Sequence, residues 1–150
     1  MEIREIPYGN FNFLVDLGTG NTVGPVAGFT EIALPDAEVD IFEFRNGNEK
    51  SNTARLLPGR VHYGTVTLKR GLIGSADLYQ WFEQVKHGGP DEAKRTVVIS
   101  LQSEDHSQTV FTWTLVNALP ASYKFGALNA TGREVAVEYL ELAFEDFQVE

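Results

Sequence analysis

The chain has 150 residues, a formal net charge of −9 and no cysteine, and 43% of its residues are hydrophobic. This length and composition predict one domain, residues 1–150, with a substantial hydrophobic core. The lack of cysteine excludes disulfides and thiolate metal sites, and the acidic balance argues against general nucleic-acid binding, which needs a basic face.

The sequence contains no apolar run that approaches the ~20 residues of a membrane-spanning helix. The first ten residues, MEIREIPYGN, lack the basic and then apolar layout of an export signal. We therefore expect cytoplasmic assembly and no membrane-spanning segment.

The first third of the chain predicts three strands. Apolar residues alternate with polar ones over residues 11–17, which indicates a strand with one buried face. Residues 18–25 predict a loop, and residues 26–33 predict a second strand that forms a hairpin with the first. Val39 and Ile41 belong to a third alternating segment, which leads into an unusually long polar stretch.

The polar stretch, about residues 45–60, predicts a long ordered loop. It opens on the turn signal Asn46-Gly47 and carries Lys50, Arg55 and Arg60 with almost no apolar periodicity. A loop this long in a compact domain is usually functional or disordered. A solvated loop and a loop that binds another chain fit these residues equally well. An alternating strand, residues 61–69, follows it.

One helix is predicted at about residues 75–87. Ser75 is its expected N-cap, and Leu78, Trp81, Phe82 and Val85 form a single apolar stripe. The sequence Gly88-Gly89-Pro90 should end the helix. We expect this helix to cover one open end or face of a sheet.

Residues 95–103 and 108–116 predict a hairpin whose two faces differ. Val97, Ile99 and Leu101 are in phase with Phe111, Trp113 and Leu115, whereas the opposite face carries mainly neutral polar residues. Residues 117–130 predict a loop with some extended character. The last strand, residues 133–147, changes phase at Tyr139-Leu140, which predicts a bulge or bend between two packing environments.

No catalytic or metal-binding pattern is evident. His62, His87 and His106 lack metal-ligand spacing. Glu138 with Glu134, or Glu141 with Glu145, could offer a carboxylate pair, but each pair is more simply the solvated side of a strand. By residues alone the chain is a mainly β, antiparallel sandwich or barrel with one flanking helix. This favours a structural or interaction protein over an enzyme, and we expect no cofactor and no metal.

An ordered set of short motifs carries a family resemblance. These are Arg45-Asn46-Gly47, then Glu49 and Lys50, then Leu57-Pro58-Gly59, Gly64, and the strand end 67–71. With this set the chain resembles the tail tube protein family of contractile phage tails and phage-tail-like contractile injection systems. The similarity extends over nearly the whole chain.

The resemblance implies that hexameric rings of this chain stack into the inner tube of such a particle, which can be released from the cell. The implied partners are a sheath protein, baseplate and tube-initiator proteins, and cargo in the lumen, either an effector protein or DNA. The implied subunit or inter-ring contacts are Arg45, Asn46, Glu49, Lys50, Arg55 and Arg60. The implied lumen-facing residues are Thr65, Thr67, Lys69, Ser100, Gln102, Thr112 and Thr114.

Two alternatives come from other classes of protein. A free-standing β-barrel that binds a small ligand would need an apolar pocket within one subunit. An enzyme would use the Glu-rich last strand, with Glu138 as the residue to test. The sequence also leaves open whether the tube belongs to a phage tail or an injection system, and whether the chain forms the main tube or an initiator ring.

Overall fold

The computed structural model describes residues 3–20 and 28–150, and in these ranges the chain is mainly β. Its elements, in chain order, are β1 Phe13–Asp16, β2 Glu31–Ala33, β3 Ala37–Phe44, β4 Arg55–Tyr63, β5 Val66–Gly71, α1 Asp77–His87, α2 Pro90–Ala93, β6 Arg95–Gln102, β7 Thr109–Phe125, β8 Val137–Ala143 and β9 Asp146–Val149.

Seven of these strands form one antiparallel sheet in the order β1-β6-β7-β8-β5-β2, and β9 also pairs with β7. Strand β7 is long enough to belong to two layers. Its first half pairs with β6 and β9, and its second half pairs with β8. The result is a sandwich-like arrangement that confirms the predicted antiparallel β class; among the described residues, no pairing closes it into a barrel.

The core lies between these two layers. Layer A, formed by β1, β6, β9 and the first half of β7, contributes Val15, Val97, Ile99 and Leu115. Layer B, formed by β2, β5, β8 and the second half of β7, contributes Val66, Leu68, Leu140 and Leu142. Burying each such side chain stabilises the fold by roughly 1.5–3 kcal/mol.

The predicted helix is confirmed as α1, and its apolar stripe enters the core through Leu78 and Trp81. The indole Nε1 of Trp81 donates a hydrogen bond to the carbonyl of Ala93, at 2.7 Å. The predicted N-cap is wrong by one position, because Ala76 occupies it. The hydroxyl of Ser75 instead accepts a hydrogen bond from the amide of Asp77, at 3.4 Å. Pro90, expected only to follow the end of α1, begins α2.

The predicted register of the 95–103 and 108–116 hairpin is confirmed. Val97 lies opposite Leu115, Ile99 opposite Trp113 and Leu101 opposite Phe111. The predicted loop over residues 117–130 is wrong in its first part, because β7 continues to Phe125. Asn117 has a φ of 54°, a conformation that asparagine tolerates better than most residues. The strand therefore bends at this residue without ending.

The predicted hairpin between the first two strands is wrong. β1 pairs with β6 and β2 pairs with β5, so the two strands lie at opposite edges of the sheet. Residues 21–27, which include most of the predicted loop and the start of the predicted second strand, lie outside the described residues. Sequence neighbours often pair, but here long-range packing in the shared core determines the partners.

The bend predicted at Tyr139-Leu140 is also misplaced. β8 pairs without interruption with β5, from Leu142 opposite Val66 to Val137 opposite Gly71. The break comes after Ala143, where the chain leaves layer B and β9 begins in layer A. The expectation of two packing environments is therefore confirmed, at a position a few residues later.

Among the described residues, no helix combines the length and hydropathy needed to cross a membrane.

Candidate assembly interface

Strands β3 and β4 form a two-stranded hairpin, residues 37–63, that we call the arm. Phe42 lies opposite Leu57 and Phe44 opposite Arg55, so the predicted loop 45–60 is wrong in its second part, where the chain already forms β4. The predicted strand 61–69 is two strands, β4 and β5, separated by Gly64 and Thr65. The sequence pattern missed β4 because both of its faces are exposed, so no apolar alternation marks it.

The tip of the arm is an ordered turn closed by Arg45. Its Nε donates to the carbonyl of Ser51 at 2.8 Å, and its Nη2 donates to the carbonyl of Glu49 at 3.0 Å. The amide of Glu49 donates to the carbonyl of Asn46 at 3.2 Å. Nη2 of Arg55 lies 3.5 Å from Oε1 of Glu49. Several predicted contact residues thus hold the tip in shape.

The arm carries apolar side chains that its own subunit leaves uncovered. Those that share one face are Val39, Ile41, Leu56 and Val61, which are between 44% and 66% exposed. Phe42, Phe44 and Leu57 are exposed on the other face. An isolated two-stranded hairpin is only marginally stable in water, and an exposed apolar patch of this kind marks an interaction surface.

The root of the arm is fixed to the sandwich by Tyr63. Its ring centroid lies 5.4 Å from that of Phe144 and 6.3 Å from that of Phe147. Its hydroxyl donates a hydrogen bond to Asp146 at 3.1 Å, which raises the pKa of Tyr63. These contacts fix the direction in which the arm leaves the subunit.

Gly64 follows Tyr63 and completes the root. Its amide donates to the carbonyl of Asp36 at 2.9 Å. A Cβ at this position would meet the carboxylate of Asp36, so a larger residue would require the Asp36 side chain to move.

The predicted lumen-facing residues fall on two different outer faces. On layer A, Ser100 lies opposite Thr112, and Thr114 lies opposite Val98. On layer B, Thr67 lies opposite Glu141 and Lys69 opposite Tyr139, with Thr65 just before β5. Because the two layers share one core, these outer faces point to different sides of the subunit. Gln102 is largely buried, and its amide donates to the hydroxyl of Thr109 at 2.8 Å.

A buried ionic cluster joins the sheet to α1. The Arg70 side chain is inaccessible to solvent, and its Nη2 lies 2.6 Å both from Oε1 of Glu138 and from Oδ1 of Asp77. The Tyr123 hydroxyl donates to the other oxygen of Glu138. Burial raises the pKa of Tyr123, and so does its hydrogen bond to Glu138.

The expectation that Glu138 lies on a solvated face with Glu134 is wrong, since Glu138 is 1% exposed. The sequence held a signal for this. Glu138 is in phase with Leu140 and Leu142, and Arg70 is in phase with Val66 and Leu68. Two opposite charges at inward positions of neighbouring strands indicate a buried ion pair.

Two of the three histidines have a side-chain partner on their own element. Nε2 of His62 lies 2.8 Å from Asp40 on the arm, and Nε2 of His87 lies 2.9 Å from Glu83 on α1. Within residues 3–20 and 28–150, no three His, Asp or Glu side chains are grouped so that they could hold a metal ion.

The family comparison decides between the classes left open by the sequence. A family model described as T4-like virus tail tube protein gp19 matches residues 9–148. The chain belongs to this tail tube protein family. Among curated proteins, no sequence gives a significant match.

Solved structures agree with the family. A chain of the anti-feeding prophage (AFP) cap, described as the AFP tube terminating cap, is 24% identical with a TM-score of 0.83, covering 100% of this chain and 95% of that one. A chain of the sheath-tube complex of PVC, an extracellular contractile injection system, is 23% identical with a TM-score of 0.80, covering 97% and 93%. Both likenesses establish the tail tube fold of this chain.

A third likeness is higher in sequence identity. A chain of the AFP baseplate structure, 6-fold symmetrised, is 28% identical with a TM-score of 0.75, covering 100% of this chain and 97% of that one. This likeness, like the first two, therefore extends over nearly the full length of both chains.

Proposed function

We propose that this tail tube family member is the structural subunit of the inner tube of a contractile particle. Six copies form a ring, and rings stack into a hollow tube that a contracting sheath drives through a target envelope. The observation that carries this proposal is the arm. It extends from a compact sandwich, has an ordered tip and exposes apolar side chains on both faces, as expected of a segment that is covered only in an assembly.

The partners follow from the proteins that the chain is similar to. The similar chains come from a tube terminating cap, a sheath-tube complex and a baseplate. We therefore propose a sheath protein, baseplate and tube-initiator proteins as partners, with assembly in the cytoplasm and a role that is structural, not catalytic. The lumen would conduct an effector protein or DNA.

The outer face of layer A is our proposed lumen wall. Ser100, Thr112 and Thr114 give it neutral hydroxyl groups, and the charges that share this face, Asp16 and Asp146, are both negative. The outer face of layer B is more charged. Lys69 and Lys124 both lie over the ring of Tyr139, and Glu31 and Glu141 are beside them in the sheet. A ring directs one of these two faces inward, so Thr65, Thr67 and Lys69 form the competing wall.

Electron microscopy over a concentration series, with mass measured in parallel, tests the tube assignment. Rings or tubes with six-fold symmetry are expected, if necessary after seeding with preformed tube ends. Leu56→Asp, which places a charge on the exposed arm, should abolish assembly while the circular dichroism spectrum stays unchanged. A protein that stays monomeric at every concentration and fails to extend seeded tubes would contradict the proposal.

A further inference from the structure

A second apolar surface lies between β1 and β2, the two edge strands of the sheet, and we call it the seam. No described residue pairs one of these strands with the other, and a cavity of about 620 Å³ lies between them. Its apolar lining includes Phe11, Phe13, Ile32, Leu34, Leu101 and Trp113. A groove this apolar at an open sheet edge is a place where another segment can be buried.

The seam opens at the end of the subunit from which the arm leaves. Gly18, after β1, lies beside Arg95, and Phe29, before β2, lies 5.6 Å from the guanidinium of Arg70. Gly18 and Phe29 therefore lie towards α1, because Arg95 lies over the ring of Trp81 and Arg70 contacts Asp77. Leu34 lines the cavity at the other end of β2, three residues before the arm begins at Ala37.

We propose that the seam of one subunit receives the apolar face of the arm of a second copy of this chain. The proposal rests on the tube assignment and adds the receptor for the arm. All subunits of a ring have the same orientation, so every arm can reach the same surface of its neighbour. Strand β4 has nine residues and spans about 30 Å, which is enough to reach across a subunit boundary.

The two surfaces match in chemistry. The arm offers Val39, Ile41, Leu56 and Val61 on one face, and the seam offers an apolar lining. No described residue forms an ion pair with Lys50 or Arg60 of the arm. At the seam, Oε2 of Glu31 lies 3.9 Å from Nζ of Lys69, but the Glu31 side chain is 70% exposed, so a second cation can still approach it. Opposite charges at the rim of an interface favour the correct partner and orientation.

A competing receptor lies near the opposite end of the subunit. The segment between β7 and β8 exposes Leu128 and Val135, at 85% and 77%. This segment joins the ends of β7 and β8 that are next to Gly71, away from the root of the arm. An arm that stacks on the next ring would contact this segment instead of the seam.

Engineered cysteines distinguish the two receptors, because the natural chain has none. Leu56→Cys on the arm is mixed with Leu34→Cys in the seam, or with Val135→Cys as the matched control, and each mixture is assembled and treated with a mild oxidant. Disulfides form only when the two Cβ atoms are about 3.5–4.5 Å apart. We expect a crosslinked dimer as the main product of the first mixture and only background in the second.

The outcomes separate this inference from the tube assignment. Phe11→Cys, on the other wall of the seam, serves as a second seam variant. If rings or tubes form but the arm crosslinks to Val135→Cys, or crosslinks to neither Leu34→Cys nor Phe11→Cys, the seam is not the receptor and the tube assignment stays intact. Failure of the unmodified chain to assemble, seeded or not, would overturn both. A small apolar ligand that copurifies with the assembled protein and fills the seam would also exclude the arm from it.

Discussion

The side chain of Arg70 shows how a single buried charge ties the helix to the sheet. Its guanidinium contacts Glu138 on β8 and Asp77 at the start of α1. A buried ion pair is weak evidence for net stability, because desolvation offsets the attraction between the charges. Removing one partner is different, since it leaves a buried charge that water cannot reach.

We therefore expect Glu138→Gln to lower the free energy of unfolding by about 3 kcal/mol. Asp77 still faces Arg70 in this variant, which places the effect at the low end of the range for broken buried pairs. Urea unfolding measures it. Glu134→Gln removes an exposed carboxylate from the segment just before β8 and should change stability by less than about 0.5 kcal/mol. Equal effects of the two substitutions would contradict a buried role for Glu138.

The same cluster should make stability depend on pH in the acid range. Burial favours protonated Asp77, but hydrogen bonds from Arg70 and Ser75 outweigh it, so the pKa of Asp77 is lowered on folding. Its contribution is therefore complete above the unfolded pKa, about 3.9, and is lost as the pH falls towards the lower folded value. Asp77→Asn should reduce the acid dependence of urea unfolding below pH 4. An unchanged slope would contradict this.

The sequence led to a wrong prediction for Glu138, namely that its side chain is solvated, and the reason is physical. A glutamate on a strand is usually solvated, and Val135 and Val137 suggested the opposite inward phase. The buried cation that compensates Glu138 lies on β5, 68 positions away in sequence. Only the pairing of β5 with β8 brings the two together, so the phase of Leu140 and Leu142 was the better guide.

Among the elements, the arm depends on its root more than on its own hairpin. The aromatic contacts of Tyr63 with Phe144 and Phe147 fasten one strand of the arm to the sandwich. An exposed two-stranded hairpin has little stability of its own. The mobility of the arm in the free subunit should therefore follow the integrity of this contact.

Tyr63→Ala should speed tryptic cleavage of the arm at Lys50, Arg55 and Arg60 without unfolding the sandwich. Limited proteolysis with mass spectrometry measures the rate at each site. Tyr63→Phe keeps the ring and loses only the hydrogen bond to Asp146, so it should be cleaved at nearly the natural rate. Cleavage of Tyr63→Ala at the natural rate would mean that the hairpin holds itself in place.

The elements that the sequence predicted well are those with strong local periodicity. Helix α1 and the β6–β7 register follow from apolar stripes with periods of 3.6 and 2. The partners of β1 and β2 could not be predicted in this way, because they are chosen by a core that spans the whole chain. Strand β4 was not predicted because its apolar residues do not pack into the core of this subunit, so they show no alternation with a period of 2.

At the scale of the whole molecule, either of two outer faces of the subunit could form the lumen wall. The face of layer A carries hydroxyl groups and the carboxylates of Asp16 and Asp146, and the face of layer B carries lysines as well as carboxylates around Tyr139. A tube that conducts a large cargo needs a wall to which the cargo does not bind. A surface of hydroxyl groups with a few carboxylates meets this need better than one with lysines, which attract both DNA and acidic proteins.

Thr114→Cys and Thr67→Cys test this choice as a matched pair, one on each face. In assembled tubes, a maleimide on a polymer too large to enter the tube should label Thr67→Cys along its length and Thr114→Cys only at the ends. Both cysteines should react equally in the free subunit, which controls for local accessibility. The reverse pattern would assign the lumen to layer B. The lumen would then carry Lys69 and Lys124, and cargo passage should slow at low ionic strength, where charge interactions are least screened.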